Sequence, residues 1–583
     1  MRYVVTLIFM LAVVSASAGP LEDSGVKGGL AVVIGGDDAE LIRNLGRNEK
    51  FLVQVLDTDS AKIEKLRDTI HNNGNYGRVS AVVFDGKTLP YAENLVNLVV
   101  VKDVRSEVGH DEIKRVLAPR GVALGSALGK SFTKPVPSDT DEWTHFLYDS
   151  KNNAVSHDKQ VHTPKRLQWD SGPQWSRHHD HMSSISGVVS ANGRIFSIID
   201  EGPRSSIQLP SDWRVVARDA FNGKLLWKRA ISDWHSRLWP AKAGPSQLPR
   251  RIVAIGDKVY VTLGLHAPVT MLDAATGKTL KTFDVTEHAE ELLVSGNELI
   301  VSAHASEPPK GEWRLETVRC WVESGRANKS RPWAWESTDP KRIIVIDIPT
   351  GKVLWTKDTN VAPLSLGADA DHVVYFNGEM VVCLARNSGE ELWSTKQKSP
   401  TVYPVRAAPN LVIYEDVVLF SSGPGTVNSM SLKDGSSLWS APHGNSGHQP
   451  SYDLLVADGL VWSTSLRGKG VPWTFTGRDP VTGEDKKVFP PGQSDWFHHR
   501  CHRGRATDNY LMMARTGIEY IDLKTGKWQP NPWVRGACLY GFMPANGLTY
   551  APPHPCGCYI ESKLTGFNAL AGEAPRRSKR STK

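Results

Sequence analysis

Val345-Ile346-Asp347-Ile348-Pro349-Thr350-Gly351-Lys352-Val353-Leu354-Trp355 carries the pattern that decides the fold. An apolar pair leads to an aspartate, a glycine follows after three variable positions, and a tryptophan comes four residues later. The apolar, β-branched run reads as a strand bounded by turn residues. The glycine permits a tight turn into a second strand. The tryptophan is then placed to dock on a neighbouring unit.

The pattern recurs along the chain. Val215 to Gly223 leads to Trp227, and Val382 to Gly389 leads to Trp393. Met430 to Gly435 leads to Trp439. Met271 to Gly277, Arg478 to Gly483, Tyr520 to Gly526 and Phe567 to Gly572 complete the set. Most of these glycines are about 40 to 55 residues apart, the repeat length of a four-stranded blade. The longer step from Gly277 to Gly351 holds an insertion around Trp313 to Glu336. A lone sheet cannot bury both faces, so such units stack in a ring. The expectation for residues 139–572 is an all-β, eight-bladed propeller.

Residues 28–130 have a different rhythm. Apolar strands at Ala31–Ile34, Phe51–Leu56, Val79–Phe84 and Leu95–Val101 alternate with helical stretches from Ala39 to about Leu45 and from Ser60 to Asn72. That alternation implies an α/β, Rossmann-like domain with a parallel sheet. Ahead of it, Arg2, the apolar run Val4–Val14 and Ala16-Ser17-Ala18 form a signal peptide over residues 1–18, which implies a periplasmic or secreted product. The apolar run is too short to span a bilayer comfortably, and no integral membrane segment is expected.

Composition fits this division. In 583 residues, 40% are hydrophobic and 22% charged, ordinary for a globular chain. Gly 50, Pro 36 and Trp 19 suit many short strands and turns. The net charge of +7 is concentrated in the end of the tail 573–583, read as a disordered basic segment. The rest is nearly neutral, which argues against a nucleic-acid partner.

Two resemblances sharpen the expectations. Residues 28–130 resemble a class I S-adenosylmethionine methyltransferase. Gly35-Gly36-Asp37-Asp38 stands at the glycine-rich turn, Asp57 at the ribose-binding acid and Asp85, before Leu89-Pro90-Tyr91, at the acid near the adenine. Arg115-Val116-Leu117-Ala118-Pro119-Arg120-Gly121 resembles a late signature of that family. The resemblance implies that Gly35, Gly36, Asp57 and Asp85 would hold S-adenosylmethionine, if it is still bound. The turn has gained Asp37 and Asp38, Asn97 stands where an Asp is common, and Arg120 replaces a glycine, which points to a degenerate domain.

The repeats resemble those of pyrroloquinoline-quinone-repeat propellers, the quinoprotein alcohol dehydrogenases and their quinone-free relatives. Trp143, Asp149, Asn153, Ser156, Leu167 and Trp169 look like the opening segment of that family, whose N-terminal strand closes the last blade. Residues near Lys165 to Trp169 would then pair with the blade ending at Gly572. The whole chain is similar to a planctomycete-type fusion of the two modules. No adjacent Cys-Cys pair and no Cys-x-x-Cys-His haem attachment occur, features a quinone-dependent dehydrogenase would bring.

Candidate chemistry lies in the segments that precede the innermost strands, which border the channel. They include Trp175 to His181, Gln247 with Arg250 and Arg251, His443 with His448 and Tyr452, Trp496 to Arg503, Arg535 to Cys538, and the loop Pro552 to Tyr559. His178, His181, His498, His502, Cys556 and Cys558 are candidate ligands of a transition metal such as Zn or Cu. His179, His499, Arg500 and Arg535 are candidate catalytic residues, with histidine as base and arginine as anion clamp, as in a polysaccharide lyase-like enzyme. Alternatively, Cys501, Cys538, Cys556 and Cys558 form disulfides. Cys383 reads as a small buried hydrophobe. The expected function is ligand binding at the channel mouth, the ligand being a saccharide or a metal-assisted substrate. Whether the chain is an enzyme stays open. A quinone-dependent dehydrogenase, a polysaccharide lyase-like enzyme, a methyltransferase and a non-catalytic assembly scaffold stand as alternatives.

Overall fold

The computed structural model describes residues 20–36, 38–102, 107–125, 128, 130–177, 183–206, 208–234, 248–306, 334–336, 341–397, 402–404, 408–421, 425–444, 453–464, 474–489, 502–514, 517–538, 540–554 and 564–572. Residues 1–18, expected as a signal peptide, the basic tail, Asp37 and most of the insertion fall outside them. The chain divides into two compact units, Met1–Pro135 and Val136–Lys583.

In the first unit, β1 (Gly29–Ile34), β2 (Phe51–Asp57), β3 (Val79–Val83), β4 (Val96–Val101), β5 (Leu117–Leu124) and β6 (Phe132–Thr133) form one sheet in the order β3-β2-β1-β4-β5-β6. The first five strands run parallel and β6 is antiparallel. Near-continuous Val, Ile and Leu in β1 and β4 match burial on both faces. Helix α1 (Pro20–Ser24) precedes the sheet. Helices α2 (Ala39–Arg47) and α3 (Ser60–Asn72) cross over between the first strands, and α4 (His110–Val116) precedes β5. Asp38 and Asp59 cap α2 and α3 by accepting from Leu41 N–H and Ala61 N–H. The strand order reverses at β1, where open α/β sheets bind their ligands beyond the carboxyl ends.

The second unit is an eight-bladed propeller. Eight antiparallel sheets follow one another, with innermost strands at Ile185–Ala191, Ile252–Ile255, Ala289–Ser295, Gly367–Ala368, Asn410–Tyr414, Leu455–Ala457, Arg505–Thr507 and Met543–Ala545. We number the blades 1 to 8 in that order. Blade 8 draws its outermost strand from the start of the unit: β8 (Arg166–Ser171) pairs antiparallel with Phe567–Ala571. The ring is thus closed by strand exchange between its two ends, as the opening segment suggests. Part of the insertion is seen as Ala334–Glu336, paired with Val402–Pro404.

The repeat motif explains how blades lock. Trp355 of blade 3 donates its indole N–H to the Arg386 carbonyl of blade 4 at 2.7 Å. Its ring lies over Gly389, where a Cβ would meet it at 2.7 Å. Gly389 also has φ +74, so two separate constraints require glycine there. The same tryptophan-to-carbonyl bond joins Trp227 to Ala274, Trp393 to Leu432 and Trp439 to Pro480. Phe489 covers Gly526 between blades 6 and 7, and Lys281 covers Gly351 between blades 2 and 3. Trp169 on β8 completes the circle by bonding Ala220 O at 2.8 Å and covering Gly223 of blade 1.

Residues 141–158 form a second closure that is not a blade. They run around the ring and touch each innermost hairpin in turn. Ser190 N–H of blade 1 bonds Trp143 O, and Ala254 N–H of blade 2 bonds Thr144 O. Val294 N–H of blade 3 donates to His145 Nε2 at 3.1 Å. Ala368 N–H of blade 4 bonds Ser150 O, and Ile413 N–H of blade 5 bonds Lys151 O. Asn153 exchanges two bonds with Val456 of blade 6. β7 (Val155–Ser156) pairs in parallel with Ala506–Thr507 of blade 7. Asp141 O and the Asp158 carboxylate take Asn546 N–H and Gly547 N–H of blade 8. Nearly all these partners lie at the exit ends of the innermost strands. The segment therefore plugs one end of the channel.

Candidate functional site

The plug leaves the other end, where chain leads into each innermost strand, as the channel mouth. Three neighbouring lead-in segments meet there. Ser176, before blade 1, donates to Pro553 O of blade 8 at 2.7 Å. The Trp175 ring stands edge-on to His554 with centroids 6.3 Å apart. His502, before blade 7, packs edge-on against Phe542 of blade 8 at 5.6 Å, and a Cβ on Gly541 would lie 3.6 Å from its Nδ1. His502, Arg535, Cys538 and His554 are all buried. Arg535 Nη2 approaches Cys538 Sγ at 3.7 Å. The described roots of the blade 7, 8 and 1 segments thus come together.

His178, His179, His181, His498, His499, Arg500, Cys556 and Cys558 lie outside the described residues, as do Cys501, Gln247, His448 and Tyr452. Among the described residues, no group of three or more His, Cys, Asp or Glu side chains is arranged to hold a metal ion. Cys383 is fully buried within a strand of blade 4. Arg177 serves the fold: it pairs with buried Asp200 at 2.9 Å and bonds the carbonyls of Pro203, Ser206 and Leu209.

Deeper in the channel lies a network of buried charge. Arg250, before blade 2, pairs with Glu291 of blade 3 at 3.2 Å and donates to Asn152 of the plug at 2.7 Å. Glu291 also accepts from Leu364 N–H before blade 4. Arg503, before blade 7, pairs with Asp453 before blade 6 at 2.9 Å and donates to the Asn410 side chain of blade 5. Arg505 is fully buried in a cage of aromatic rings, with its guanidinium 5.2 Å from Trp143, 4.9 Å from Phe146 and 5.7 Å from Tyr540. Burial pushes its pKa down to about 10, so it remains charged at neutral pH.

A further polar trio sits in blade 3. His304 bonds Glu290 at 2.9 Å, and Lys341 bonds the other carboxylate oxygen at 2.6 Å. Burial pushes the Glu290 pKa up, but Lys341 and His304 overcome it and hold the carboxyl well below its usual range. Sequence reading missed Glu290, Glu291, Asp453 and Arg505. Arg505 directly follows the polar run that ends at Arg503, Glu290 and Glu291 form an acidic pair at the start of an apolar strand, and Asp453 precedes another apolar run.

The residues carried over for S-adenosylmethionine are engaged with their own backbone. Asp57 is buried, and its two oxygens accept from Gly36 N–H at 3.0 Å and Asp59 N–H at 2.9 Å. Asp38 pairs with Lys102 across the ends of β1 and β4 at 3.0 Å. Asp85 accepts from Lys87 N–H and Thr88 N–H, which lowers its pKa and closes its own turn. Asn97 lies near the start of β4, away from the carboxyl ends, and binds Leu30 N–H at 2.8 Å. Arg120 holds φ +68, a conformation that favours glycine. Arg115 donates to the carbonyls of Leu89 and Tyr91 and to Glu112, which ties the two motif segments together. Asp57 and Asp85 thus each accept backbone N–H groups of their own turns.

Parts of the chain are similar to known proteins. A family model described as outer membrane protein assembly factor BamB matches residues 305–470. No curated protein sequence matches the chain. Among solved structures, a quinohemoprotein alcohol dehydrogenase from Comamonas testosteroni shares 11% identity, covering 75% of this chain and 82% of its own, with TM-score 0.45. BamB from Moraxella catarrhalis shares 12%, covering 70% and 87%, with TM-score 0.35. A methyltransferase from Aquifex aeolicus shares 18%, covering 18% and 60%, with TM-score 0.17. The fold itself rests on the strand order above. Among the described residues, no helix is long and apolar enough to cross a membrane.

Proposed function

We propose that the protein is an exported ligand-binding propeller whose ligand, a saccharide or a metal-assisted substrate, sits at the channel mouth between the lead-in segments of blades 7, 8 and 1. The observation that carries this reading is the convergence of those segments over a channel plugged at its far end. Such a site is a concave pocket with a few converging polar groups, the usual form of a small-ligand site. His502, Arg535 and His554 supply the described polar groups, and Trp175 offers an aromatic face on which a sugar ring can stack. His178, His181, His498, Cys556 and Cys558 would complete a metal site, and His179, His499 and Arg500 a catalytic one. A scaffold would need no such concentration of imidazole and guanidinium around one opening.

The test is a saccharide-binding panel with elemental analysis on the purified full chain. We expect binding of at least one saccharide class or a stoichiometric metal, either of which is lost in His502→Ala. A chain that binds no saccharide and no metal overturns the reading.

A further inference from the structure

We propose that the ligand of this mouth is anionic: a short acidic saccharide or chain end whose carboxylate or sulfate descends to the arginines above the plug. The inference rests on the channel-mouth reading and adds the chemical class of the ligand.

Two observations carry it. The first is unspent cationic donors. Arg503 is 5% exposed and Arg505 0% exposed. Arg503 Nη1, Arg505 Nε and Arg505 Nη1 are buried and have no hydrogen-bond partner among the described residues. Buried charges are ordinarily paired, because removing them from water is costly. Arg503 has one carboxylate partner, Asp453, and none of the ion pairs among the described residues includes Arg505. Glu291 faces Arg250 and Leu364 N–H. Asp453 takes Arg503 Nε and Gly504 N–H. Arg250 and Arg505 each feel the repulsion of Arg503, so the three cations act on one region. The rings of Trp143, Phe146 and Tyr540 soften the burial of Arg505 but carry no negative charge.

The second observation is the plug. Its bonds to every blade close the far end, so a polymer cannot thread through the ring. A ligand must enter and leave by the same opening, which restricts it to small molecules and chain ends. An anionic group on such a ligand gains charge-assisted bonds in a site with little water.

The experiment is calorimetric titration of the full chain with sodium sulfate, galacturonate, digalacturonate and neutral galactose. Sulfate tests the bare anion, the uronates test an acidic sugar and galactose tests the sugar without charge. We expect uronate to bind more tightly than galactose. Arg503→Gln should weaken uronate by at least about tenfold, the scale of one hydrogen bond to a charged group. Arg503→Lys should recover part of the loss. Asn410→Ala, which frees a further Arg503 donor, should tighten both anions and keeps the test available if Arg503→Gln does not fold. Binding of sulfate but not uronate would make the site one for an inorganic anion and overturn the saccharide assignment. Galactose binding as tightly as uronate, unchanged by Arg503→Gln, would overturn the anionic class while leaving the mouth as the site. No binding of any probe would overturn the inference, and the wider panel above would then decide the mouth reading separately.

Discussion

Trp169→Ala offers a sharp test of ring closure. Trp169 is 6% exposed and donates its indole N–H to Ala220 O at 2.8 Å. Its ring packs beside Tyr550 and Phe567 and fills the space over Gly223. Trp227, between blades 1 and 2, is 8% exposed, makes the same bond to Ala274 O at 2.8 Å, and fills the space over Gly277. Truncating a buried tryptophan costs about 3–5 kcal/mol in transfer and cavity terms. Both variants should fall in that range and match each other to within about 1 kcal/mol, since their surroundings are so similar. Thermal and urea unfolding of the two variants, followed by far-UV circular dichroism, supply the comparison. If Trp169→Ala costs less than about 0.5 kcal/mol, as an exposed substitution does, while Trp227→Ala costs the full amount, the first strand does not close the ring.

Four more outcomes follow from contacts described above. Gly389→Ala should destabilise the propeller by more than about 1 kcal/mol, combining strain at φ +74 with a 2.7 Å clash against Trp355, as measured by a shift in melting temperature. Stability should fall as pH drops from neutral. Burial depresses His145 to about 3 and His443 to about 4, so between 6.5 and those values the unfolded imidazoles take up protons that the folded ones refuse. Asp158, raised to about 6 by burial, acts in the opposite sense between 6 and 3.8, but the two histidine shifts together are larger; urea midpoints at pH 7 and 5 check the net sign. Asp57→Asn should weaken the fold of the first unit, because it disturbs the carboxylate that holds Gly36 and Asp59. Calorimetry should show no S-adenosylmethionine binding to the unmutated chain.

The blades were legible in the sequence because their determinants are local. The aspartate, glycine and tryptophan that make the turn and the seam lie within nine residues, as in Asp347 to Trp355. The closing strand was legible from the opening segment around Trp169. The plug was not, although Trp143, Asn153 and Ser156 marked its location. It holds the ring largely through main-chain groups, such as Thr144 O and Lys151 O, which leave no residue signature. The channel charges were half visible. Arg250, Arg503 and Arg535 stand in conspicuously polar segments, whereas Glu291 and Asp453 became partners only through contacts across blades. In the first unit Asp57 ends its strand, as the strand–helix alternation implies, but the engagement of Asp57 and Asp85 with backbone amides is a matter of geometry that spacing does not encode.

The plug also sets an order of events for a ribosome making this chain. Asp158 must wait for Gly547, 389 residues further on, and Asn153 for Val456, 303 residues on. At typical synthesis rates that delay is on the order of tens of seconds. During it, the strand edge of β8 and the amides awaiting the plug stay unpaired, the condition under which strands recruit wrong partners. The last blade to be made therefore releases the first segment from waiting. A chain truncated anywhere before blade 8 would leave both closures open, so integrity of the carboxyl-terminal blade should govern how safely the nascent protein survives its own synthesis.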